Sequence, residues 1–183
     1  MTPVERAAEH PLIRAALEEA GWTPARHQDL DDWVTSLRAE GFTIVAPALD
    51  VLRELGGLTI TPPRRDDAAF GSGIVVIDPL WAATGEAERI RVRERELGSD
   101  LCPVGEWMGE YILLVADDGS LMAETTFQVL RVGRDIADAL HRMIVADTPP
   151  EEVQVIAADV PPAGCRDRSA AGQVRAVAPC AGS

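Results

Sequence analysis

The residues of this chain with chemistry to offer are three histidines, three cysteines and 30 carboxylates in 183 positions. His10, His27 and His141 fall in or beside three different expected helices. No HxxxH or HExxH pairing brings two imidazoles to one metal ion. Cys102, Cys165 and Cys180 make an odd set without CxxC spacing, which argues against a disulfide framework and for a reducing compartment. A nucleophilic thiol needs a neighbouring imidazole. Cys102 has none beside it in sequence and reads as a small buried hydrophobe. Gly71-Ser72-Gly73 fails as a dinucleotide fingerprint, because Val76 stands where the third glycine belongs and the segment leads into a strand instead of a helix. It also lacks the G-x-S-x-G pattern of a nucleophile elbow, so it reads as a loop tip. Glu106 and Glu110 flank an expected turn and have the types of an acid/base pair. With this many acids, chance pairs are expected. The residues therefore point to no catalytic group, no metal and no cofactor.

These side chains must be positioned by elements, and the hydrophobic spacing outlines them. Leu12, Ile13, Ala16, Leu17 and Ala20 repeat at helical spacing within Val4 to Ala20, with Pro11 suited to a first helical turn and Gly21 as the stop. Asp29 or Asp31 can cap a second helix that carries Leu30, Trp33, Val34 and Leu37 and ends at Gly41. A third helix runs from about Pro47 to Leu55, closed by Gly56-Gly57. Leu58 to Thr61 and Ile74 to Ile77 read as strands around a loop at Pro62 to Asp67. The segment from Gly85 to Leu97 carries mixed charges at i, i+4 spacing and is expected as a solvated helix.

Leu101 to Val115 is the centre of the chain. Its Pro103, Gly105 and Gly109 suit the corners of a hairpin, with Glu106 a structural carboxylate. The Asp118-Gly119 pair after it is a strong hairpin signal. Phe127 to Val132 is a further strand, and Asp135 caps a closing helix with Ile136, Leu140, Met143 and Ile144 buried. Helices first, antiparallel strands next and a helix last make an α+β domain, helices packed on one mainly antiparallel sheet, over residues 1–148. Residues 149–183 read as a Pro/Ala/Gly-rich, weakly ordered tail, with Val153 to Ala157 as a stray strand.

The charge narrows the function. The net charge is −13, every basic residue is Arg, and residues 1–148 hold 26 acids against 14 arginines. An acidic field disfavours nucleic acid and anionic membranes and favours a basic protein partner; it also serves solubility. No apolar stretch approaches the ~20 residues of a membrane span, and no signal peptide is visible, so a cytoplasmic protein is expected. Trp22, Trp33, Trp81 and Trp107 are spread one per element, as core or edge packing. Trp107 beside a turn could instead be an exposed anchor.

An ordered set of landmarks carries a family likeness. It comprises Gly21-Trp22, Trp33 and Leu37, Leu52-x-x-Leu55-Gly56-Gly57-Leu58, Ile77-Asp78-Pro79 before a charged helix, Leu97-Gly98, and Leu101-Cys102-Pro103-Val104-Gly105-Glu106. The strand and turn Leu114 to Gly119 and the closing Ala139-Leu140 complete it. From about Gly21 to Ile144 the chain resembles the SUKH superfamily, specifically its third family of immunity proteins. The resemblance implies an α+β fold and a cytoplasmic protein that neutralises a bacterial toxin, often a nuclease, by direct binding. It brings no catalytic residues; Gly56, Gly57, Asp78, Pro79, Gly105 and Glu106 carry over as scaffold.

The expected function is thus an acidic, non-catalytic immunity protein whose partner is a basic toxin domain. Asp66, Asp67, Trp107, Glu110, Asp117 and Asp118 are the expected partner-binding residues. An intracellular adaptor on the same fold and a carboxylate-based hydrolase are the alternatives. A concave pocket with converging acids of raised pKa would mark the hydrolase.

Overall fold

A computed structural model describes residues 1–66, 68–70 and 72–153. Its frame is a seven-stranded sheet in which every strand pairs antiparallel with its sequence neighbour: β1 (Thr59–Ile60), β2 (Val75–Val76), β3 (Leu101–Trp107), β4 (Tyr111–Ala116), β5 (Leu121–Glu124), β6 (Val129–Gly133) and β7 (Glu151–Val153). The expected α+β class is what the chain adopts. β7 pairs with β6 three residues beyond the expected boundary at 148, and the remainder of the expected tail, residues 154–183, lies outside the described residues.

Helices α1 (Pro3–Ala7), α2 (Pro11–Glu19), α3 (Asp31–Glu40) and α4 (Ala46–Leu55) precede the sheet. The helical stretch expected from Val4 to Ala20, with its regular part starting at Pro11, is two helices that meet there. Pro11 has no N–H to donate, so a helix cannot run through it unbroken and instead restarts with Pro in its first turn. Thr2 closes the front of α1 in a reciprocal capping box with Glu5, Oγ1 accepting from the Glu5 N–H at 3.2 Å and the Thr2 N–H donating to Glu5 Oε2 at 2.8 Å. Between β2 and β3 lie α5 (Pro79–Ala83) and α6 (Ala87–Leu97). Helix α5 directly follows the strand expected at Ile74 to Ile77 and has no counterpart among the elements expected from sequence. Asp78 accepts the N–H groups of Leu80 and Trp81, both at 3.0 Å, and Pro79 opens α5.

Two of the three expected hairpin corners are not corners. Pro103 and Gly105 lie inside β3, where the register against β4 slips by one residue. A proline gives the ladder no N–H, and a bulge is where a central strand can carry one. At Gly105 a Cβ would collide with the Val76 carbonyl oxygen, so the missing side chain lets β2 close on β3. The turn itself is Met108-Gly109, both at positive φ (61° and 76°), with the Glu110 N–H reaching the Trp107 carbonyl at 3.4 Å.

The register sorts side chains between faces. Glu106, Ile112 and Glu124 are cross-strand partners and share one face with Val76; α5 and α6 lie over it. Cys102, Val115, Trp107, Tyr111 and Val75 share the other, where the Val45 backbone at the entry to α4 reaches Cys102. A last helix, α7 (Ile136–Leu140), is capped by Asp135, which accepts the Asp138 N–H at 2.8 Å, and continues into a π-helical turn, His141–Val145. Its expected buried stripe, Ile136, Leu140, Met143 and Ile144, is buried.

Candidate partner-binding surface

The charged helix is the first surprise, because α6 is not simply solvated. Arg89 and Arg93, one turn apart, reach down onto the sheet and meet Glu124, whose side chain is wholly buried. The Arg89 guanidinium donates to one carboxylate oxygen through a short contact, and Arg93 Nε donates to the other at 3.0 Å. Each arginine also holds a carboxylate of its own helix at 2.7 Å, Glu86 for Arg89 and Glu96 for Arg93. Burial alone would lower both guanidinium pKa values. Hydrogen bonds and charge from these carboxylates outweigh it and leave both above the ordinary arginine value. Arg93 further donates to the Thr126 carbonyl at 3.0 Å and so pins the β5–β6 loop. A spacing rule that compares charges only along one helix could not see a counter-ion 31 residues away.

Three connections lie at one end of the meander, because the strands alternate in direction: the β1–β2 loop (61–74), the β3–β4 turn (108–110) and the β5–β6 loop (125–128). This end is unusually apolar. Ile74 is 50 % exposed, Trp81 74 %, Met108 38 % and Phe127 93 %. Trp81 leans from α5 to form, with Ile74, Val76, Met108, Gly73 and Gly109, an open groove of about 590 Å³ that also takes in Glu106. Met108 rests on Gly73, where a Cβ would sit 2.6 Å from Met108 Cγ. Among the described residues, none that lines it is cationic.

The expected partner-binding residues separate. Asp66 and Glu110 are exposed at this apolar end, while Asp67 lies outside the described residues. Asp117 and Asp118 occupy the β4–β5 turn at the opposite end, about 20 Å away along a six-residue strand. There Asp117 accepts from the Ser99 hydroxyl at 2.6 Å, and Asp118 accepts the Ser120 hydroxyl (2.6 Å) and N–H (2.8 Å). Those bonds hold the Asp118 carboxyl below its ordinary pKa. Trp107 needs correcting: it is 2 % exposed, with its ring 5.7 Å from Tyr111 and edge-on to Phe70 at 6.4 Å. It points to the interior face because its position in β3 is one residue out of phase with Glu106. Trp81, read from sequence as packing, is the tryptophan at the surface. The Asp78-Pro79 cap and N1 pair sets α5 in phase to expose it, and that pair was legible in the sequence.

The remaining reactive groups are held in structural roles. Burial raises the Cys102 thiol to about 11, which keeps it protonated and a poor nucleophile at neutral pH. His10 and His141 meet edge to face at 5.3 Å, and His141 Nδ1 lies 3.5 Å from Asp147; His27 sits apart, at the entry to α3. Among the described residues no group of three or more His, Cys, Asp or Glu side chains is arranged to hold a metal ion. Several pockets gather acids, and one of them, with Asp50, Glu54 and Asp135, includes a carboxyl that burial raises, Glu54. Each of these acids is engaged: Asp50 with Arg53 (2.7 Å), Glu54 with the Thr2 hydroxyl (2.7 Å), and Asp135 with Arg6 (2.6 Å) and the front of α7. No described helix is long and apolar enough to cross a membrane.

No curated protein and no solved structure matches the chain. One family model does, over residues 10–146, three-quarters of the sequence and the span that holds all of the helices after α1 and all but the last strand of the sheet. The landmarks from Gly21-Trp22 to Ala139-Leu140 lie within that span, and the chain belongs to the SUKH-3 immunity protein family.

Proposed function

We propose that this chain neutralises a toxin by binding it directly in the cytoplasm, without catalysis, and that the toxin is a basic, nuclease-type domain. Membership of an immunity family supports a toxin as partner. The observation that carries the finer reading is the net charge of −13, concentrated in residues 1–148. A nuclease presents a cationic cleft shaped for phosphates. An acidic protein offers the same sign of charge as the polyanion, and opposite fields raise encounter rates by orders of magnitude at low salt. The engagement of Asp50 and Asp135 in ion pairs and of Glu54 with the Thr2 hydroxyl supports binding over hydrolysis.

The test is stopped-flow association with a purified cognate toxin domain, in about 50 mM and about 500 mM salt. The expected rate falls about tenfold or more between the two, as screening shortens the reach of the charges. An association rate indifferent to salt would refute the electrostatic part, and the absence of a complex would refute the whole.

A further inference from the structure

The groove between α5 and the β3–β4 turn goes further than the net charge, because it specifies what a partner must bring. We propose that it is the toxin-docking surface and that its occupant is an arginine side chain flanked by apolar residues. The guanidinium stacks on the Trp81 indole and pairs with the Glu106 carboxylate. This rests on the toxin-binding reading above and adds a place and a chemistry to it.

Three independent features converge here. The first is exposure. Of the five exposed large apolar residues in the described chain, Ile74, Trp81 and Met108 surround this one depression. A fourth, Phe127, stands on a loop at the same end of the sheet. Tryptophan dominates binding hot spots, and clustered exposed apolar residues mark interaction sites where single ones do not.

The second is strain. Met108 holds φ at 61° in a two-residue turn that glycine, asparagine or aspartate would occupy at lower cost. Such strain gathers at binding and switch sites. Here it sets a soft, adaptable thioether at the groove edge.

The third is charge. Glu106 lies within a lining that is otherwise apolar and has no cation, and among the described residues no hydrogen bond or ion pair reaches its carboxylate. Glu110 adds a second negative charge on the turn beside it. A guanidinium satisfies both demands of the site, since it stacks on aromatic faces and donates in a planar fork to carboxylates. A second copy of this chain would bring Glu106 and Glu110 towards their own counterparts, like charge against like. An anionic membrane would meet the same repulsion.

The experiment is isothermal titration of the full chain with the same cognate toxin domain, using wild type, Trp81→Ala, Glu106→Gln and the double variant Asp117→Asn/Asp118→Asn. Thermal unfolding confirms that each variant folds. Trp81→Ala is expected to weaken binding about 30-fold or more and Glu106→Gln about tenfold. The double variant removes the far-end acids that the sequence offers as a rival contact surface, and it is expected to stay within about twofold. Wild-type affinity in Trp81→Ala, or a larger loss in the far-end variant, overturns the surface while leaving toxin binding intact. A loss in Trp81→Ala with none in Glu106→Gln overturns the guanidinium. A dimer of the free chain that Trp81→Ala dissociates would assign the groove to a second copy and overturn the proposal too. Failure of wild type to bind removes the toxin-binding reading and this one together.

Discussion

Glu106 and Glu124 stand in one row on one face of the sheet, with Ile112 between them, two strand spacings or about 10 Å apart. The fold treats them in opposite ways. Glu124 is fully buried and receives two guanidiniums from α6, which are themselves held by Glu86 and Glu96. Glu106 is half-buried and faces an apolar groove that, among the described residues, no cation lines. An internal charge must be paired or it destabilises the protein that carries it. A charge at a groove rim stays solvated in the free protein and can wait for a partner. The same contrast divides the tryptophans at this end: Trp107 under the sheet, Trp81 on top.

That contrast can be broken by stability measurements, taken here from the largest effect to the smallest. Trp107→Ala should cost about 3–5 kcal/mol in urea unfolding, because it empties a closed site beside Tyr111 and Phe70. Trp81→Ala should stay within about 0.5 kcal/mol of wild type. Equal losses would mean that Trp81 is also a packing residue. Next, Glu124→Ala should cost about 3 kcal/mol by leaving two guanidiniums against an apolar sheet, whereas Glu106→Ala should change stability by no more than about 0.5 kcal/mol. The triple replacement of Arg89, Arg93 and Glu124 by leucine should recover most of that loss, since it removes the charges together. A smaller gain is expected from Met108→Gly. Relief of the positive φ should raise stability by about 1 kcal/mol, seen as a later urea midpoint, while the groove loses its thioether.

The smallest effect is a pH dependence at the far end. Asp118 is held below its ordinary pKa first by the Ser120 hydroxyl, then by the Ser120 N–H. A carboxylate with a depressed folded pKa contributes stability that is complete above its unfolded value, the ordinary 3.8. That contribution is lost as pH falls through the lower folded value. Ser120→Ala should therefore lower stability slightly at neutral pH, and its difference from wild type should vanish as pH falls through the folded value, as read by urea unfolding at several pH values. A loss that persisted undiminished at acid pH would mean that the serine acts by packing.

Much of the frame was legible along the chain. Asp118-Gly119 marks the β4–β5 turn, with Gly119 at φ 87°. Gly41 and Gly98 end their helices in the left-handed conformation. Asp135 caps the closing helix. These are short-range effects, in which one residue type meets one backbone requirement within a few positions. The surface was legible only in part. Asp66 and Glu110 were identified as exposed acids, whereas Trp107 was taken for an anchor and Trp81 for packing. The strand phase after the Pro103–Gly105 bulge turns Trp107 inward, while the phase of α5 from its Asp78-Pro79 start turns Trp81 outward.

By itself, then, the amino-acid sequence determined the order of the elements, the α+β class, the acidic balance and the family. Each depends on local backbone preference, on composition or on an ordered set of landmarks. Tertiary structure alone decided that a helix as charged as α6 would bury two arginines against Glu124, and that Ile74, Trp81, Glu106 and Met108 would share one groove. Those pairings join residues tens of positions apart, and their existence depends on sheet register and on the direction in which each strand turns its side chains. No periodicity along the chain encodes either of them.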